Sequence, residues 1–214
     1  MRGMLLTDRV LFIDAEALVI DKPAGLPVDP PRDGSLCVAS HREQLAFGFH
    51  RWPTPVHRLD RDTSGCLLLA RTERAHKRFS LAFEAGDVEK RYMAVLAGIP
   101  EGTSGTIDMP LSKTSTARDG WWMIEDAKGK SAVSHWRVVE TRNGRALVEF
   151  TPETGRTHQL RVHAATGLGI PIAGDPVYGY GGEPMRLHAI SFSLARLPKP
   201  PVAAEAPLPD GFWG

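Results

Sequence analysis

The chain has 214 residues, 42% hydrophobic and 24% charged, with a net charge of +1. That profile excludes long disorder and low-complexity classes, and the length suits one large domain or two closely packed lobes with a core of their own. The first apolar run is broken by Thr7, Asp8 and Arg9, and no later stretch approaches the roughly 18 apolar residues of a membrane span. A cytoplasmic protein with no membrane partner is expected.

Val10 to Ile13 and Ala17 to Ile20 read as short strands, followed by a Pro- and Gly-punctuated loop, KPAGLPVDPPRDG. The chain is then irregular until Val56. After the Thr63-Ser64-Gly65 turn, Cys66 to Ala70 is continuously apolar, as in a strand buried on both faces. A helix should follow, capped by Thr72, with Ala75, Phe79, Ala82 and Phe83 at helical spacing and Gly86 as its stop. Tyr92 to Ala97 reads as a strand, and Trp121 to Phe150 as several strands with turns at Lys128-Gly129 and Asn143-Gly144. The second of these is a favoured type I′ hairpin sequence. Thr157 can cap a helix running to about Thr166 with Gly167 beyond it; Met185 to Leu194 gives a last strand, and residues 197 to 214 form a Pro-rich, irregular tail. Many strands with few helices argue for a mixed α/β (α+β) domain on a largely antiparallel sheet with flanking helices. The expected division is one catalytic domain over residues 1–197 and a tail over 198–214 packed on it.

Cys37 and Cys66 are far apart and lack a CxxC partner pair, so a structural zinc site is not expected, and Cys66 reads as a small buried hydrophobe. His158 and His163 are five residues apart and do not share a helix face as paired metal ligands would; with His57 they read as structural hydrogen-bonding groups. Lys22-Pro-Ala-Gly has no phosphate-loop pattern. Trp121 and Trp122 offer aromatic surface, although a strand-borne pair commonly places one ring in the core.

The global charge carries no nucleic-acid signal, but its distribution is uneven. Residues 51–78 hold seven Lys/Arg against three acids, whereas residues 1–33 hold four against six. Inside the basic stretch lies VHRLDRDTSGCLLLAR, residues 56–71. It places Asp60 ahead of a tight turn and a buried strand, with Arg58 and Arg61 nearby to favour its ionised form. Asp62 is the rival carboxylate, and a turn aspartate bonded to backbone amides is the plain alternative for either.

His57-Arg58-Leu59-Asp60 followed by Thr63-Ser64-Gly65 resembles the HRLDxxTSG signature of the RluA family of RNA pseudouridine synthases. Three further segments resemble family motifs in order: VIDKPAGLPV (19–28), KRYMAVLAG (90–98) and GRTHQLRVHAATGLGIPIAGDPVYG (155–179). The tail sequence APLPDGF is similar as well. Many relatives also carry an S4-type RNA-binding module, for which nothing before Val10 provides, so this chain is expected to find RNA with its catalytic domain alone.

The resemblance implies the pseudouridine synthase catalytic fold and an isomerase that acts on uridine in structured RNA, rRNA or tRNA, as a monomer with no cofactor and no metal. It implies Asp60 as the catalytic carboxylate at the ribose, Arg161 as its ion-pair partner and Tyr92 against the target uracil. Arg58 would fill the space left by a flipped nucleotide, with His57, Arg61 and Thr63 as further RNA-side residues. Two other classes remain open: a non-catalytic RNA-binding protein that keeps the fold, and a glycosidase-like hydrolase using Asp60 and Asp62 as paired carboxylates.

Overall fold

The computed structural model describes residues 5–116 and 120–213. Its contacts divide the chain into two compact units, one of residues up to 89 with 189–208, the other of 90–188 with the residues from 209 onward. Both are built mainly from antiparallel strands with few helices, so the chain is of the α+β class expected.

In the first unit, β1 (Val10–Ile13) pairs with β2 (Ala17–Lys22), which pairs in turn with β4 (Ser64–Ala70) from Ala17 opposite Ala70 to Lys22 opposite Gly65. The two-residue strand β3 (Thr54–Pro55) runs along the far end of β4. All seven residues of β4 are buried, as its unbroken apolar run requires. One face of the strands gives Ala17, Val19, Cys66, Leu68 and Ala70 to a core completed by Ala75 and Phe79 of helix α1 (Glu73–Ala85). Full burial of Phe79 stabilises by about 1.5–3 kcal/mol. Thr72 caps α1 by accepting the Ala75 N–H at 3.1 Å, and Gly86 ends it in the left-handed region, both as expected.

The Pro-rich tail departs from expectation. β11 (Leu187–Arg196) turns through Leu197 and Pro198 into a further strand, β12 (Lys199–Glu205), which pairs antiparallel with it. Pro200 and Pro201 are exposed in this strand, and Val202 is fully buried. Proline cannot donate to a ladder, which suppresses a strand reading, but an edge position tolerates it.

In the second unit β5 (Val88–Leu96), β10 (Arg145–Pro152), β9 (Val133–Arg142) and β6 (Ser104–Asp108) lie side by side in that order. β7 (Leu111–Thr116) and β8 (Gly120–Glu125) form a separate hairpin. Asn143 and Gly144 both have positive φ, as a type I′ turn demands. Phe150 is paired with Tyr92 on one side and Trp136 on the other, and its ring is fully buried.

The expected helix over 157–166 is shorter. α2 (Gln159–Val162) is a single turn that continues as a π-type turn, His163–Gly167. Thr157 does not cap it. His158 stands at the N-cap in the left-handed conformation at φ 53° with no side-chain cap, and the Gln159 side chain turns back to accept the Arg156 N–H of the preceding turn at 2.9 Å.

Candidate active site

Asp60 opens a β-turn. Its carbonyl accepts the Thr63 N–H at 3.2 Å, Arg61 and Asp62 are the central residues, and β4 begins immediately afterwards at Ser64. Thr63 is buried and Asp60 is half-buried, so the turn is anchored in the core while its leading carboxylate stays accessible. Gly65 has φ 106°, and a Cβ there would lie 2.2 Å from the Ala189 carbonyl oxygen. Only glycine fits this close approach, which explains the third residue of the Thr-Ser-Gly triplet.

Beneath the turn lies a group to which the sequence reading gave no role. Lys22 ends β2 with a fully buried side chain. Its Nζ donates to the carbonyls of Pro23 at 2.9 Å, Leu26 at 2.8 Å and Arg61 at 3.0 Å. One ammonium therefore ties the KPAGL loop to the residue that follows Asp60, and the Gly25 N–H adds a second tie to the Arg61 carbonyl at 2.9 Å. Burial pulls the Lys22 ammonium down to about 8, opposed by the charges of Asp62, Asp60 and Asp21. The signal for it is visible in retrospect: a lysine continuing a strand whose other residues are all apolar or paired.

The remaining basic residues of the signature face outward. Arg58 is exposed and pairs with Asp29 at 3.1 Å, and Arg61 reaches Asp33 at 3.2 Å and Ser35 at 3.3 Å. Exposed pairs of this kind are worth about 0–1 kcal/mol, so both guanidiniums can be released to a phosphate at little cost. His57 belongs to the scaffold. Its Nε2 accepts the Leu68 N–H at 3.0 Å, and its ring stacks on Phe83 with centroids 4.4 Å apart.

In the second unit Tyr92 sits in β5, partly buried against the core. Arg161, on α2, is buried and holds Asp175 by two bonds, Nε to Oδ2 at 2.7 Å and Nη2 to Oδ1 at 2.9 Å. Asp175 also accepts the N–H groups of Val177 and Tyr178 at 2.8 and 3.0 Å. Burial alone would raise the Asp175 carboxyl, but the Arg161 guanidinium and these two amides hold it below the usual carboxylate range. The guanidinium lies 5.1 Å from the centre of the Tyr178 ring. The Tyr178 hydroxyl accepts the Met123 N–H and lies 2.8 Å from Nδ1 of His158, whose ring stacks on Trp121. Trp121 is exposed, with the Lys113 ammonium 4.4 Å above its ring.

Behind this arrangement Gln159 donates to the Val133 carbonyl and the Ser134 hydroxyl, and His163 bridges Ser134 and the Met109 carbonyl. The histidines are accordingly hydrogen-bonded, as expected. Burial lowers the His163 imidazole, so it is neutral. Cys66 is free and its thiol is pushed up to about 12 by burial, an inert group. Among the described residues no cluster of His, Cys, Asp or Glu is arranged to hold a metal ion, and no helix is long and apolar enough to cross a membrane.

A family model described as RNA pseudouridylate synthase matches residues 16–166. An RNA pseudouridine synthase of Zymomonas mobilis is 59% identical over 212 residues, 97% of each chain. The ribosomal large subunit pseudouridine synthase D of the same organism is 37% identical over 87% of this chain and 60% of its own length. Among solved structures, human RNA pseudouridylate synthase domain containing 4 superposes with a TM-score of 0.82 at 29% identity, covering 97% of this chain and 91% of the other.

Proposed function

Because this chain belongs to the RNA pseudouridine synthase family, we propose that Asp60 is the carboxylate that acts at the ribose of a uridine. The reaction breaks the bond between N1 and the anomeric carbon and joins that carbon to C5 of the same uracil. The C5 proton leaves to solvent and N1 takes up a proton, so no redox equivalent or phosphate is consumed. One observation carries the assignment. Asp60 is the half-exposed leading residue of a turn whose other end is buried, and the turn's backbone is tied down by a fully buried lysine. Such a carboxylate is preorganised, so little reorganisation is needed at the moment of reaction.

Tyr92 is assigned to the face of the target uracil and Arg161 to the electrostatic support of the reaction. Both assignments rest on the motifs that carry these residues. Arg58 and Arg61, lightly held by exposed carboxylates, take the RNA side, with Arg58 filling the gap left by the flipped nucleotide. The substrate is large-subunit rRNA or tRNA. The name of the Zymomonas mobilis synthase D supports the first. The enzyme is assigned to the cytoplasm and to a monomeric state.

Pseudouridine mapping by carbodiimide adduct and reverse-transcription stops, in RNA from cells with and without the gene, tests the substrate assignment. Loss of a defined stop in large-subunit rRNA or in a tRNA is expected. An unchanged map in both would overturn it.

A further inference from the structure

The first unit carries a groove of about 710 Å³ for which the reaction has no use. It lies along β3 and the far end of β4, where Thr54 and Pro55 pair with Ala70 and Leu69. Ala70 lies six residue steps along β4 from Ser64, a span of about 20 Å, so the groove is remote from the Asp60 turn along the same strand.

Its lining sets basic residues and one indole, Trp52, on an otherwise mostly apolar floor. Arg42, Arg51 and Arg71 contribute three positive charges against one from Glu73, with His50 and His76 beside them. The Arg42 guanidinium lies over the exposed indole of Trp52, 3.8 Å from its centre, and has no carboxylate partner among the described residues. Arg51 meets Glu73, but both side chains are largely exposed, a pairing of little worth. Arg71 has a different job. It is buried, donates to the carbonyls of Asp14 and Ala46, and supports the Phe49 ring at 3.5 Å from its centre. The neighbouring segment, Phe47 to Trp52, has three exposed aromatic rings interleaved with His50 and Arg51, of which Trp52 lines the groove.

Large exposed apolar rings are costly unless something covers them. Cations placed over and between them select an anionic partner with flat faces. An acidic peptide would satisfy the charge but not the rings; a single-stranded nucleic acid satisfies both, with bases stacked on the aromatics and phosphates on the guanidiniums. We propose that this groove is a second RNA-binding site, which holds a single-stranded segment of the substrate RNA remote from the target uridine. Trp52 is its stacking platform, and Arg42 and Arg51 are its phosphate contacts. The proposal rests on the reading of the chain as an RNA-modifying enzyme.

The test is fluorescence anisotropy of a short fluorescein-labelled oligouridine titrated with the full chain at several salt concentrations, with tritium release from C5-labelled RNA measured in parallel. Trp52→Ala should weaken oligouridine binding about tenfold. Arg42→Gln with Arg51→Gln should reduce the slope of log affinity against log salt by about 1.4, the share of two phosphates on a single strand. Because all three side chains are exposed, the melting temperature should not move. Unchanged affinity and slope in both variants would overturn the proposal. Labelled oligoglutamate binding as tightly as oligouridine, with the same loss in Trp52→Ala, would overturn it in favour of an acidic protein partner. Tritium release by the wild type separates the two readings: release with unaltered groove variants removes the groove alone, and absence of release removes the enzymatic reading itself.

Discussion

The turn around Asp60 and the turn of helix around Arg161 reach rigidity by opposite means. At Asp60 the backbone is held. A buried ammonium collects three carbonyls, and a glycine admits the Ala189 backbone. At Arg161 the side chain itself is held, its guanidinium near the Tyr178 ring and clamped on a buried carboxylate that two amides fix in turn. Holding the backbone fixes where a side chain starts, whereas holding the side chain fixes the charge itself. Removing the clamp should therefore cost fold stability first, and removing the ammonium should cost order in the loop it gathers.

The largest effect is expected from Arg161→Met, which strands the buried Asp175 charge. A loss of about 3–5 kcal/mol is predicted by denaturant unfolding. Adding Asp175→Leu should recover most of that stability without recovering activity. If stability and activity returned together, Arg161 would serve only the scaffold.

Lys22→Met comes next, because it leaves the Pro23 and Leu26 carbonyls without their side-chain donor and the Arg61 carbonyl with only the Gly25 N–H. A loss of about 1–3 kcal/mol is expected, with a larger fall in tritium release than in substrate affinity. It also has a pH signature. The folded chain gives up the Lys22 proton near 8, and the unfolded chain holds it to the ordinary lysine value, so the unfolded state binds more protons between the two. Wild-type stability should thus gain a rising contribution above pH 8 that is absent from Lys22→Met; coincident slopes would contradict the buried ammonium.

The smallest effect is at His163. Its imidazole is held neutral below its ordinary value, so the unfolded chain takes up the proton first as the pH falls. Stability should decline below about pH 6.5, and a chain carrying His163→Asn should lose that part of the decline.

The contrast also explains what could be read from the residues alone. The Asp60 turn is written in neighbouring residues, since turn, buried strand and capped helix follow one another between Asp60 and Gly86. Lys22 could be quoted within its motif but not understood, because its third carbonyl comes from Arg61, 39 residues away, and is delivered only by the β2/β4 register. Asp175 is likewise 14 residues from Arg161. The shortened helix was hidden because His158 turns left-handed where Thr157 was expected to cap, and β12 was hidden by its own prolines. Local chemistry was legible, and groups completed by distant backbone were not.

The central claim is that Asp60 does the chemistry and the turn merely presents it. Tritium release from RNA labelled at uracil C5, with the wild type and Asp60→Ala compared at equal melting temperature, tests this most directly. The account predicts release by the wild type and none by a stably folded Asp60→Ala. Release by both would contradict it and take Asp60 out of the reaction.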